Sequence, residues 1–452
     1  MFKKSKYKKP PGCSIFRILF SDLAKDPLTI SQYLLKNYGE IVKMPGIYKL
    51  YLMSCPKAAG QILQDNYENY VKTDIAYKSL LDVIGRGILT EPKHDIWWPM
   101  RQTLNQVFYS KYLLQHINTI TPYIEKLCDR WEEYAESGKT FDIHHELTSL
   151  TATTAISLFF GEQYLYIKDA LLQFTKIGNV YASGVYHLIK WFPLPTHIWY
   201  FFAKLRFKKL IKKMIKQHKA LTDPPYNFLT VLLQAKDPVT NKPYPKQRLI
   251  DEIITIAVTG HETISNITSW ALYSIARNSD IAQRLKEEYA TVLAGRVPTQ
   301  EDLPKLNYTR MVIEETMRYY PVIWTVNRTV IKDDVIDGYF IPAGSTVAVS
   351  IYNIHHNPKY WEQPSLFYPE RFTMDKIRQR ERYAYMPFGA GPRICIGSHY
   401  STMEAFLILS IILQKFDIKL ISQKPIGLKP LITLRPAKKI KVTVKKRENQ
   451  LS

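Results

Sequence analysis

Residues 387–397 read PFGAGPRICIG, and the apolar helical pattern SHYSTMEAFLILSIILQKF follows at 398–416. A cysteine anion survives inside a protein only where positive potential and N–H donors stabilise it. Cys395 stands at the N-terminal edge of the predicted helix, where N–H groups without intrahelical partners and the helix dipole favour negative charge. Gly389, Gly391 and Gly397 let the backbone adopt unusual dihedrals and approach a flat partner closely. Arg393, two residues before the cysteine, can reach an anion at the edge of such a partner. A lone reactive cysteine needs none of these glycines. A wide planar group with a metal at its centre does.

The rest of the composition narrows the class. The chain has 452 residues, 46% hydrophobic and 23% charged, an ordinary globular balance. Its four cysteines, Cys13, Cys55, Cys128 and Cys395, show no C-x-x-C spacing. That argues against a disulfide scaffold or zinc ribbon and fits a reducing compartment, so a cytoplasmic location is expected. The net charge of +22 favours acidic partners. No zinc finger, RNA-recognition signature or helix-turn-helix spacing accompanies the basic clusters, so solvated faces are expected and nucleic acid is not. No apolar run in the first thirty residues is long enough for a signal peptide or membrane span; SIFRILF (14–20) is short and interrupted by Arg17.

The pattern along the chain predicts a mainly α fold with a small β-rich lobe. It is read as a single domain over 21–445 between a basic tail at 1–20 and a short tail at 446–452. GIYKLYLM (46–53) alternates as a strand and PKAAGQILQ (56–64) turns helical. Amphipathic helices dominate from about 97 to 320, strands gather at 329–350, and LITLRPAKKIKVTV (431–444) is expected to form a hairpin. The segment 191–219 joins an aromatic first half to a basic amphipathic helix. That composition suits peripheral contact with an anionic membrane, and equally a helix covering the core with a lysine-rich outer face.

Phe388, Gly389, Arg393, Cys395 and Gly397 stand at the spacing of the haem-binding signature of the cytochrome P450 family, which this stretch resembles. The resemblance implies the P450 fold, haem b as cofactor, Cys395 as axial thiolate ligand of the iron, Phe388 packed near the sulfur and Arg393 paired with a haem propionate. Further motifs of the family follow in order. ETMR (315–318) is similar to its E-x-x-R, with Arg371 of PERF (369–372) as third member of an ion-pair network. WWPMR (97–101) resembles its W-x-x-x-R, implying that Trp97 and Arg101 converge on one propionate, with Arg328 of TVNRTV approaching the other. A glycine is usual three residues before the tryptophan; here it is His94.

In IDEIITIAVTGHETISNITSWALYSIARN (250–278), glycine and threonine in a buried helix are expected to open the hydrogen-bond ladder locally and admit water. Glu262-Thr263 matches the acid–alcohol pair of the family's oxygen-binding helix, implying a catalytic role in delivering protons to dioxygen. Thr259 and Ile264 depart from the usual pattern, and His261 is expected to be a satisfied helix residue. The apolar stretches 80–89 and 321–326, with Trp324 and Thr325, fall where the family places pocket walls.

The resemblance therefore implies a monooxygenase inserting one atom of O2 into a fatty acid, terpenoid or steroid, most like bacterial relatives of the microsomal fatty-acid and steroid hydroxylases. KKPPG (8–12) resembles the proline hinge of the microsomal members. The 452 residues hold no flavin or pyridine-nucleotide module, so electrons are expected from a separate ferredoxin, flavodoxin or reductase. Two other readings stand beside it: an isomerase or peroxygenase of the same fold that needs no external electrons, and a non-catalytic haem or nucleic-acid-binding protein suggested by charge.

Overall fold

The structure, a computed structural model, describes residues 7–15, 26–46, 49–182, 194–237 and 240–447. The chain divides into two compact units. The first comprises Met1–Lys78, Glu314–Cys395 and Thr433–Arg435. Its main sheet has five strands in the order Ile41–Lys43, Leu50–Met53, Thr346–Val349, Val326–Val330 and Tyr70–Val71. Leu50 pairs with Thr346 in parallel register, and the other neighbours are antiparallel, with Ile41 opposite Met53 and Val326 opposite Val349. Alternate residues of these strands, Tyr51 and Met53 with Val347 and Val349, enter one apolar core with Ile62, Leu63 and Met386. A separate hairpin pairs Asp334–Ile336 with Tyr339–Ile341. Its two turn residues, Asp337 and Gly338, both have positive φ, the primed-turn geometry that Asp-Gly supplies.

The second unit comprises Ser79–Ile313, Ile396–Ile432 and Pro436–Ser452, and is mostly helical. Its axis is the helix Lys246–Ala276, which packs against Ile143–Phe159 and Ser398–Lys415. From Leu249 to Ile275 every residue is buried except Val258, Thr259, Gly260 and Thr263. A helix buried on every side over that length is an interior one. Burial here extends to a carboxyl: Glu404 is wholly buried on Ser398–Lys415 and accepts from Thr154 Oγ1 at 2.5 Å. Burial pushes its pKa up to about 7.

The expected hairpin at 431–444 does not form. Leu434–Pro436 and Lys441–Lys446 are both strands but belong to different sheets. Lys441–Lys446 pairs with Phe416–Leu420 and with Phe141–Asp142, placing Val442 opposite both Leu420 and Phe141. Between the strands, Ala437 N–H donates to Gly427 O at 2.8 Å and carries the chain away from a tight reversal. Alternation identifies a strand, and partner choice is decided by residues distant in sequence.

The basic segment is helical over Pro195–Lys219. Residues 191–193, like most of 1–25 and the end beyond 447, lie outside the described residues. Among the described residues no helix is long and apolar enough to cross a membrane.

Candidate functional site

The cysteine loop grows from a buried frame within the first unit. Glu315 and Arg318 lie one turn apart on Asn307–Tyr319 and form a two-pronged pair, Nε to Oε2 and Nη2 to Oε1, each at 2.7 Å. Both are fully buried, and Arg371 Nε lies 3.5 Å from Glu315 Oε1. Arg318 also donates to the carbonyls of His355 (2.9 Å), Pro364 (3.0 Å) and Leu366 (3.0 Å). The expected network of Glu315, Arg318 and Arg371 is thus present, and it ties three chain segments together.

The same frame reaches the loop. Tyr385 Oη donates to Glu314 O at 3.0 Å, and Met386 N–H donates to His355 Nε2 at 3.0 Å. His355 is wholly buried, which holds it neutral by pushing its pKa well down. A neutral ring is what accepting an N–H requires. This role is not legible in the spacing of NIHHNPKYW, where nothing separates His355 from His356.

Beyond Met386 the loop closes on itself. Cys395 N–H donates to Phe388 O at 3.0 Å. Gly389 and Gly391 take φ of +76° and +72°, and a Cβ on Gly391 would overlap the Leu63 carbonyl. Arg393 is half-buried, and Cys395 is exposed at the loop's end, three residues before the helix Ser398–Lys415. None of the four cysteines is in a disulfide. Burial pushes the Cys55 thiol up to about 11 and Cys128 up to about 12, so neither is a thiolate. In the same unit Arg328 is buried at 5% exposure. Among the described residues its hydrogen bonds go to Tyr77 Oη (3.2 Å) and Asn327 O (2.8 Å), and no carboxylate pairs with it.

The second unit carries the other predicted residues. Trp97, at 1% exposure, and half-buried Arg101 lie one turn apart on His94–Asn105. His94, in the place of the usual glycine, stacks on Trp98 with ring centroids 5.9 Å apart. On the long axial helix the expected local opening is not seen. The helix runs unbroken, and Thr255, Thr259 and Thr263 each donate a hydroxyl hydrogen to the carbonyl four residues earlier, at 2.7, 2.7 and 2.8 Å. Such back-bonds satisfy the hydroxyls without breaking the ladder. Thr259, Gly260 and Thr263 nevertheless form an accessible patch in mid-helix. Glu262 is buried and accepts from Asn179 Nδ2 at 2.9 Å. His261 is buried, with Nδ1 2.7 Å from Ala257 O, as expected of a satisfied helix residue.

The loop preceding this region is pinned by acids of the same helix. Arg86 N–H donates to Asp251 Oδ2 (3.0 Å) and Ile88 N–H to Glu252 Oε2 (2.7 Å). A Cβ on Gly85 or Gly87 would strike Asp251 or Thr255. Sequence reading placed 80–89 on a pocket wall but did not anticipate these anchors.

Comparison with known proteins decides the family. The cytochrome P450 family model matches residues 9–444. The chain belongs to the cytochrome P450 family. It is 30% identical over 414 residues to a putative cytochrome P450 132 of Mycobacterium tuberculosis, covering 87% of each chain. It is 26% identical to a cyclooctat-9-en-7-ol 5-monooxygenase of Streptomyces melanosporofaciens, covering 85% of this chain and 84% of that one. The crystal structure of the cytochrome P450DA heme domain superposes with a TM-score of 0.87 at 21% identity, over 98% of this chain and 99% of that one. The mainly helical P450 fold, haem b and monooxygenase chemistry with external electrons, O2 and hydrophobic substrates come with membership.

The residues present fit haem. Its propionates need cations, and the P450 offers a buried Arg328 guanidinium whose protein partners are neutral, a costly arrangement without an anion. Its iron needs a thiolate, and the exposed Cys395 ends a loop that left-handed Gly389 and Gly391 shape and that packs on Leu63 through Gly391.

Proposed function

We propose that this P450 oxidises an apolar substrate of fatty-acid, terpenoid or steroid type, with Cys395 as the residue that would hold the haem iron through its thiolate. The observation that carries the assignment is the braced loop: its hydrogen bonds and left-handed glycines leave Cys395 exposed while Cys55 and Cys128 are buried thiols. Phe388 would shield the sulfur, and Arg328 and Arg393 of the first unit and Arg101 and Trp97 of the second would hold propionates. When bound, haem supplies the binding and reductive activation of dioxygen. The protein's part is to hold the group, exclude water and move protons. Thr263 Oγ1, whose own hydrogen goes to Thr259 O, offers lone pairs on the accessible patch of the helix. Glu262 Oε2 takes protons from water and passes them toward that patch.

In the second unit the candidates for substrate contact are Thr259 and the pinned 85–89 loop, and in the first unit Trp324 and Thr325. The name of the Streptomyces relative, a monooxygenase of cyclooctat-9-en-7-ol, supports an apolar substrate. An acidic ferredoxin or flavodoxin suits a chain of net charge +22 with Lys376, Arg378 and Arg382 exposed on the unit that carries Cys395. Titrating the ferric protein with laurate, a polycyclic terpene alcohol and testosterone tests the class. One of them is expected to shift the Soret band of the haem-loaded protein; silence from all three contradicts the apolar reading.

Peripheral membrane contact is supported by Pro195–Lys219. Tyr200, Ala203, Phe207, Ile211 and Met214 turn inward. Ile198, Trp199, Phe201, Phe202 and Leu205 are 47% to 63% exposed, and Lys209, Lys212, Lys213 and Lys216 are exposed one to three turns further on. An aromatic end beside a lysine-rich end matches a bilayer interface with anionic headgroups. Phosphatidylglycerol vesicles should pull down the protein and phosphatidylcholine vesicles should not, with F201S/F202S abolishing the difference; equal recovery from both contradicts it.

A further inference from the structure

The geometry points to Asn179 as the positioning residue for Glu262, an inference that rests on the proton-carrying reading of that glutamate. Asn179 lies on the neighbouring helix Lys168–Ala182 at 4% exposure, and Glu262 is at 6%. The Asn179 amide donates to Thr175 O, one turn back on its own helix, and to Glu262 Oε2, each at 2.9 Å. A main-chain carbonyl can only accept, so the NH2 group must face Thr175. Its second hydrogen then faces the carboxylate. The reverse orientation would crowd the amide oxygen against two acceptors. The amide therefore cannot flip, and it fixes one oxygen of the carboxylate.

The chemistry of the donor matters as much as its place. A buried carboxylate held by a cation gives up proton affinity in proportion to that pairing. A carboxamide orients the oxygen through one hydrogen bond and adds no charge. When Glu262 takes up a proton, Asn179 leaves no uncompensated ion behind. Thr263, next in sequence, points its hydrogen along its own helix to Thr259 O. The acid thus takes a donor from the neighbouring helix, and the alcohol is set by its own.

The test compares N179L, which keeps the approximate size without the donor, with E262Q and the double variant, in the haem-loaded full chain. Infrared spectroscopy identifies the Glu262 carboxyl band by its loss in E262Q. In N179L that band should shift, because a hydrogen bond to the anion has gone. With laurate as probe and a surrogate ferredoxin and reductase, product per NADPH should fall about threefold to tenfold in N179L. The laurate spectral Kd should not change, and N179L should add nothing on the E262Q background. N179S, which supplies a hydroxyl donor, should recover part of the coupling, and it replaces N179L if that variant does not accumulate. An unmoved carboxyl band, or an equal loss with and without Glu262, overturns the positioning role. If E262Q itself keeps full coupling while the band still shifts in N179L, the contact stands and the proton-carrying reading beneath it fails.

Discussion

Replacing Arg318 by alanine should cost the protein its haem-loaded fold. The guanidinium is wholly buried, meets both oxygens of the equally buried Glu315 at 2.7 Å, and satisfies three main-chain carbonyls. Removing one partner of a buried ion pair typically costs about 3–5 kcal/mol, since the remaining charge has no compensation. Each of the three carbonyls left without a donor adds about 1 kcal/mol. Against a typical stability of about 5–15 kcal/mol, that removes most of what holds the frame. R318K keeps the charge but loses the planar fork, so about half of the loss should return. E315Q/R318M, which removes both charges, should lie nearer wild type than R318A. Urea unfolding followed by Soret absorbance and tryptophan fluorescence reads all three. An R318A midpoint indistinguishable from wild type would refute the buried frame, and an R318A no worse than the double variant would refute the charge argument.

Other expectations follow the same reasoning. G391A forces a residue with a side chain to φ +72° and drives its Cβ into the Leu63 carbonyl; haem content of the purified protein should collapse, and a G391A that keeps full haem would contradict the close packing of the loop on Leu63. For Glu404 the folded pKa, raised to about 7 by burial, exceeds the unfolded value near 4.5. Its favourable contribution is therefore complete below pH 4.5 and lost as pH rises through 7. E404Q should be more stable than wild type at pH 8, by up to about 3 kcal/mol, with the gap closing toward pH 5 in urea titrations. T263A should release more hydrogen peroxide per NADPH without altering the ferrous carbonyl spectrum; unchanged peroxide release would count against its role.

Much of the site was legible because its signals are local. The cysteine loop, E-x-x-R and W-x-x-x-R each lie within a dozen residues, and their side chains stand where helical spacing puts them. What could not be read depends on partners remote in sequence. Asn179 meets Glu262 across 83 residues, and His355 meets Met386 across 31. The mistaken hairpin at 431–444 has the same cause, since Lys441–Lys446 finds Phe141–Asp142 some three hundred residues away. The unbroken axial helix is a different lesson. Threonine hydroxyls can break a ladder or decorate it, and the sequence alone does not choose between them.

The central claim is that the Cys395 sulfur binds the haem iron as an anion. The ferrous carbonyl spectrum of the purified protein and of C395H measures this directly. The wild type should show the long-wavelength Soret band of thiolate ligation, and C395H should bind haem with the shorter-wavelength band of a nitrogen donor. A wild-type spectrum already of the nitrogen or neutral-thiol kind, or one that C395H leaves unchanged, would contradict it.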